Sequence, residues 1–320
     1  MAPRRPGFGI GLAWALVSAA SFGFSGTLAS GLITAGWTPA LAVTLRITIG
    51  ALALLLPTVR ALRGRWTLLR ANAGVIGLYG LLAVALPQTC FFFAVQRLPV
   101  GPALLIEYVS PLVVLGWWWL RHRQTPTRLM VAGSVVAMTG LLLVLGITTP
   151  EPLDLVGVLW AASGTIGAAA FFLLSARPDT GLPPIVLAGD GLVTGGALLG
   201  VLGLAGVLPL AAGAATVGYG GAAVPAWGAL LALGLVAGAL AYSAGIAASR
   251  RLGSRLASFV GLSEVVLAFG YAWLLLGQVP RWTQVLGALL ILAGVTLIKL
   301  GEPGPRPPCA DGGGIVGGRP

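Results

Sequence analysis

Residues 97–143 read RLPVGPALLIEYVSPLVVLGWWWLRHRQTPTRLMVAGSVVAMTGLLL, and residues 251–297 read RLGSRLASFVGLSEVVLAFGYAWLLLGQVPRWTQVLGALLILAGVTL. Set on each other at a shift of 154 positions, without a gap, they pair Arg97 with Arg251, Leu98 with Leu252, Gly116 with Gly270, Trp119 with Trp273, Leu120 with Leu274, Gln124 with Gln278, Pro126 with Pro280, Gly133 with Gly287 and Gly140 with Gly294. Upstream, Gly11 and Trp14 recur as Gly157 and Trp160 at a shift of 146. The difference of eight predicts a longer connection near residues 207–224 in the second half. The chain is one unit written twice.

Each copy is a series of apolar runs. Of the 320 residues, 57% are hydrophobic and 8% charged, and the mean hydropathy is +0.97. No water-soluble core hides that much apolar surface, so lipid is the solvent. A helix crosses the hydrocarbon layer with about 20 apolar residues. Runs of this kind stand at 8–30, 39–58, 73–95, 102–120, 129–147, 155–175, 184–206, 225–249, 256–276 and 283–300, which predicts ten transmembrane helices. They are continuous and rich in Leu, Ala and Gly, unlike the alternating segments of about 10 residues that build a β-barrel.

Five helices per unit is an odd number, so the two units enter the membrane from opposite sides, related by a pseudo-two-fold axis in its plane. The expected fold is an all-α integral membrane protein of two inverted five-helix repeats, 8–147 and 155–300. The Gly- and Pro-rich stretch 301–320 has no apolar periodicity and is expected to be a disordered cytoplasmic tail.

The basic residues test the helix count, because Lys and Arg collect on the cytoplasmic side. With the N-terminus inside, sixteen of the nineteen fall in inside segments, Arg97 and Arg281 fall outside, and Arg46 lies within a helix. This places both termini in the cytoplasm and the protein in the cell membrane as a multi-pass chain. The run after Arg4-Arg5 exceeds the 7 to 15 residues of a typical signal core, so it reads as a retained first helix.

The net charge of +11 invites a nucleic-acid reading, but the arginines sit in short clusters between apolar runs and form no basic recognition helix. No nucleic-acid partner is expected. Cys90 and Cys309 have neither metal-ligand spacing nor a disulfide framework. His122 is the sole histidine, so no Ser/His/Asp or metal cluster can be assembled around it. Neither catalytic residues, a metal nor a cofactor is expected, and the chain does not read as an enzyme.

The informative residues are charges inside the hydrocarbon: Arg46 in the second helix, Glu107 in the fourth, Asp190 in the seventh and Glu264 in the ninth. Each costs about 2.5 to 3.5 kcal/mol at a helix centre, which predicts a water-filled cavity or a partner. At about 1.5 Å per residue Arg46 and Glu107 share a depth, so the two are expected to meet. Glu264 is the repeat equivalent of Ser110, one turn beyond Glu107, so both glutamates are expected to line one cavity between the repeats. A carboxylic acid in low dielectric takes up a proton more readily than in water, as coupling to a proton gradient requires. Pro87 and Pro111 release backbone carbonyls within the bundle, and with Gln88 and Ser110 they are candidates to line the substrate path. Trp117, Trp118 and Trp119 end a helix beside Arg121 and are expected to anchor at the interface, with Trp273 paired to Trp119.

Gly101-Pro-Ala-Leu-Leu-Ile-Glu107-Tyr-Val-Ser-Pro111-Leu resembles the fourth helix of threonine/homoserine exporters, and Leu262-Ser-Glu264-Val resembles their ninth-helix Leu-Glu-Pro. Phe22-Gly23 and the intramembrane Arg46 also fit the pattern of the EamA family in the drug/metabolite transporter superfamily. Gln278 replaces a frequent family glutamate, and Val265 the proline after Glu264. The resemblance covers about residues 8–300. It implies a secondary transporter that exports small metabolites, amino acids or related compounds, in exchange for protons. Its expected partners are a small-molecule substrate, protons, the lipid bilayer and, compatible with the fold, a second copy as a homodimer. An importer or drug exporter of the same superfamily, and a membrane scaffold or enzyme subunit, are the alternatives.

Overall fold

The computed structural model describes residues 8–301 apart from 99, 124, 146–153, 178, 278 and 280. The helices are α1 (Phe8–Thr34), α2 (Pro39–Ala61), α3 (Ala73–Val95), α4 in two halves (Val100–Glu107 and Ser110–His122), α5 (Arg128–Leu145), α6 (Leu155–Ser175), α7 (Pro184–Leu204), α8 (Ala226–Leu252), α9 in two halves (Ser254–Gly261 and Ser263–Leu276) and α10 (Trp282–Gly301). Among the described residues nine are long and apolar enough to span a bilayer, and α5 has 18 residues. The predicted end of α5 at 147, Gln278, Pro280 and the tail from 302 to 320 lie outside the described residues.

Local chemistry sets the helix ends. Thr38 caps α2 by accepting from the Leu41 N–H at 3.3 Å, with Pro39 in the first turn where its missing N–H costs nothing. Asp154 caps α6, accepting from the Val156 and Gly157 N–H groups at 2.7 and 3.3 Å. Those two bonds, then Arg97, hold its carboxyl below the ordinary aspartate value. Lys299 lies over the Phe8 ring at 4.2 Å, which puts the two ends of the described chain on one face of the bundle, the terminal face.

The repeat is written into the packing. A Cβ on Gly140 would stand 2.5 Å from the Gly287 carbonyl oxygen, and one on Gly133 would stand 2.7 Å from that of Gly294. Exchanging the halves turns each contact into the other, as a two-fold relation demands. Gly157 packs on Arg97 and Leu98 just as Gly11 packs on Arg251 and Leu252, at opposite ends of the bundle. Small residues let these backbones approach where lipid offers no hydrophobic drive for helix association.

Two irregularities also obey the repeat. Both α3 and α8 contain a wide-turn π segment, Tyr79–Ala85 and Leu233–Leu240, whose starting positions differ by the repeat shift. Both α4 and α9 break at their middles, at Tyr108–Val109 and at Leu262.

The longer connection of the second half is a β-hairpin, β1 (Thr216–Tyr219) paired antiparallel with β2 (Ala222–Pro225), which the helical reading did not anticipate. Gly220 and Gly221 turn it with φ of +54° and +88°, the left-handed pair that a two-residue hairpin needs. Val217 is buried among α1, α2 and α8, and the Tyr219 hydroxyl donates to the Leu28 carbonyl at 2.7 Å. Burial raises the Tyr219 hydroxyl above the ordinary tyrosine value. The hairpin marks the face opposite the termini, the hairpin face.

Candidate functional site

The breaks in α4 and α9 face each other, and the polar side chains gather there. Pro111 has no N–H, so the carbonyl of Glu107, four residues back, loses its helical donor and α4 opens at Glu107. The Tyr108 hydroxyl crosses from the first repeat to the second and donates to Glu264 Oε1 at 3.0 Å. Glu107 lies within electrostatic reach of both Glu264 and Arg46. Both glutamates keep some exposed surface, while Arg46 is buried.

Arg46 is held by the irregular part of α8. Bonding between residues five apart leaves a carbonyl in a π segment without its ordinary donor. Arg46 Nε donates to that of Ala237, at 3.2 Å. Its guanidinium stands 5.6 Å from the Phe22 ring centroid, a cation–π placement. Phe22, Phe171 and Tyr242 form a box of edge-to-face rings, with centroids 5.2 Å apart for Phe22–Tyr242 and 5.6 Å for Phe171–Tyr242. Gln88 approaches Tyr242 from α3.

The α1 backbone seals one side. A Cβ on Gly23 would stand 2.7 Å from the Glu264 carbonyl oxygen, so α1 presses on α9 beside the glutamate through the only residue type small enough. Beside it, a cavity of about 270 Å³ between α1, α8 and α9 is lined by Ala20, Ser21, Phe24, Val236 and Tyr271.

Of the residues singled out from the sequence, Arg46, Gln88, Glu107 and Glu264 come together. Ser110 and Pro111 are buried at the α4 break, and Pro87 lies against α6, where a Cβ on Gly167 would meet its Cδ at 2.7 Å. Asp190 stands apart on α7. Its Oδ2 is buried without a hydrogen-bond partner among the described residues. The expected meeting of Arg46 with Glu107 is corrected: among the described residues the one ion pair within 4.0 Å is Arg97–Asp154, and the direct partner of Arg46 is a backbone carbonyl. Matching depths did not fix the direction in which each side chain leaves its helix.

Tyr108, Phe171 and Tyr242 were not anticipated. The signal was there for the tyrosines, because a hydroxyl within an apolar run requires a partner. Trp119 and Trp273 are each 53% exposed, as repeat partners at the bundle surface. Among the described residues no group of three or more His, Cys, Asp or Glu side chains is placed to hold a metal.

One cation and two carboxyl groups, tied across the repeats by a tyrosine hydroxyl and flanked by aromatic rings, can bind a small molecule carrying both charges and can exchange a proton. The sequence matches the EamA-like transporter family at residues 9–146 and again at 155–300. A solved structure titled "Crystal structure of protein" superposes with a TM-score of 0.72 at 22% identity, covering 90% of this chain and 98% of that one. At that identity the likeness speaks for the fold alone. No curated protein matches the chain. Neither match singles out exporters of threonine or homoserine.

Proposed function

This chain belongs to the EamA-like transporter family of multi-pass membrane proteins, and from its central cluster we propose that it is a secondary transporter that exports small metabolites, amino acids or related compounds, in exchange for protons. The observation that carries the reading is the Tyr108–Glu264 bond, which joins the two repeats where both helices are broken. Discontinuous helices at a repeat interface are where secondary transporters of inverted design hold substrate and coupling ion.

Arg46 receives a carboxylate, Glu107 faces an ammonium group, and the rings of Phe22, Phe171 and Tyr242 pack an apolar side chain. Glu264 takes a proton from one side and releases it to the other as the repeats exchange conformations. The cluster of basic residues supports a cytoplasmic terminal face in the cell membrane.

The experiment is a metabolite export screen in cells overproducing the protein, followed by counterflow of the identified compound in proteoliposomes. Counterflow of an amino acid or close relative supports the reading. Movement of lipophilic cations alone assigns a drug exporter instead, and no flux of any compound favours a scaffold. Orientation is read from a single cysteine at Ala223→Cys in the hairpin, introduced after Cys90 and Cys309 are replaced. Labelling of that cysteine by an impermeant reagent from outside intact cells is expected, and protection there sinks the topology.

A further inference from the structure

A second polar cluster, around a different cation, lies where α3, α6, α7 and α8 have their ends near the terminal face. Arg250, in the last turn of α8, reaches inward and donates through Nη1 to the Leu182 carbonyl in the α6–α7 connection. Its Nε and Nη2 are both buried and without a hydrogen-bond partner among the described residues. These two nitrogens form the edge of a guanidinium from which two N–H bonds leave in parallel, the edge that matches two oxygens of a carboxylate or phosphate.

The surroundings offer hydroxyls, and among the described residues no acidic side chain lies within 4.0 Å of Arg250. Tyr79 on α3 is fully buried and within electrostatic reach of Arg250, and among the described residues its hydroxyl has Ser175 Oγ as hydrogen-bond partner, at 3.4 Å. Ser249 Oγ, on the same turn as Arg250, is buried and without a partner. The one ion pair among the described residues, Arg97–Asp154, lies at the opposite end of the bundle. The repeat does not call for an arginine here, since position 250 corresponds to Gln96. A cation that served only to anchor the helix would extend to the lipid headgroups, whereas this one points into the protein.

We propose that Arg250, with the hydroxyls of Ser249 and Tyr79, forms an oxyanion-binding site near the terminal face that takes the carboxylate or phosphate of a small molecule or of a lipid headgroup. An oxyanion supplies the acceptors that the buried Nε–Nη2 edge lacks, and leaving such donors unpaired is costly. The site adjoins the central cluster through the Tyr79–Phe171 ring contact, centroids 6.2 Å apart, but its cation, Arg250, is not part of that cluster.

The test uses the full chain in nanodiscs of phosphatidylcholine alone, titrated with inorganic phosphate and with acetate against chloride at constant ionic strength, and read by thermal stability. Saturable stabilisation by phosphate or acetate is expected. It should weaken about tenfold or more in Arg250→Gln and persist in Arg46→Gln. Arg250→Lys keeps the charge, loses the paired edge, and is read if the neutral variant does not fold. Discs containing phosphatidylglycerol separate the sources: stabilisation without added anion, and no further effect of phosphate, assigns the headgroup. Absence of any effect of phosphate, acetate or phosphatidylglycerol on the wild-type chain overturns the proposal. So does an effect that survives unchanged in the Arg250 variants.

Discussion

The two repeats carry the same backbone irregularities and different chemistry at them. In the second repeat the π segment of α8 gives its Ala237 carbonyl to Arg46, and the break in α9 is followed by Glu264. In the first repeat the segment in α3 is followed by Pro87, and Gly191 stands on α7 where Arg46 stands on α2. At the break in α4, Glu107 and Tyr108 occupy the places of Gly261 and Leu262, and Ser110 that of Glu264. On the proposed transport reading, symmetry in the backbone is what lets the two repeats exchange conformations. Asymmetry in the side chains provides one site instead of two.

The symmetric part is most easily broken where α5 crosses α10. Gly140→Leu drives a side chain into the Gly287 backbone, and overpacking of this kind costs about 1–3 kcal/mol or more. Its repeat image, Gly294→Leu, is expected to lower the melting temperature in detergent by the same amount. Unequal losses would mean that the repeats are not equivalent in packing.

A comparable effect on stability is expected at the asymmetric part. Arg46→Leu leaves the Ala237 carbonyl without its donor and removes the one cation of the central cluster, costing about 1.5–3 kcal/mol. Transport should be lost, whereas Leu192→Ile, beside the mirrored position Gly191 on α7, should be nearly silent in flux. Comparable loss of flux in the two variants would remove the functional asymmetry.

Tyr108→Phe deletes one hydrogen bond to Glu264 and nothing else, for about 0.5–1.5 kcal/mol. Coupling of Tyr108→Phe with Glu264→Ala, which removes the acceptor, should be significant in a double-mutant cycle, and strict additivity of the two would deny the bond.

The smallest effect belongs to the two seams at the helix starts. Asp154 and Arg97 pair at the start of α6, while at the matching start of α1 Phe8 lies under Lys299. Because the folded Asp154 carboxyl is held below its ordinary value, its contribution is complete above the unfolded value of about 3.9 and is lost as pH falls through the lower folded value. Asp154→Ala should flatten the acid limb of a melting-temperature profile only slightly, since the group is exposed. A Lys299→Ala variant should leave that limb unchanged.

Much of the scaffold was legible because membrane helices are set by length and composition, and because paired glycines such as Gly133 and Gly294 sit where backbones touch. The π segments were not, since one extra residue per turn leaves an all-round apolar run looking the same. Nor was the hairpin, although Tyr219-Gly220-Gly221-Ala222 joins two short runs through a glycine pair. The charged residues of the site were conspicuous because burying them in hydrocarbon is costly. Their partners were not: Tyr108 and Tyr242 read as apolar aromatics, and the Ala237 carbonyl has no sequence signature.

The central claim is that one site, built by both repeats, exchanges a proton through Glu264. The direct measurement is efflux of the identified substrate from proteoliposomes under an imposed inward proton gradient, for the wild-type chain and for Glu264→Gln, each with its melting temperature recorded. The account predicts that the gradient accelerates wild-type efflux, that collapsing the gradient slows it, and that the Gln variant melts normally but shows no gradient-driven flux. Efflux indifferent to the gradient, or normal gradient-driven efflux in the Gln variant, would contradict it.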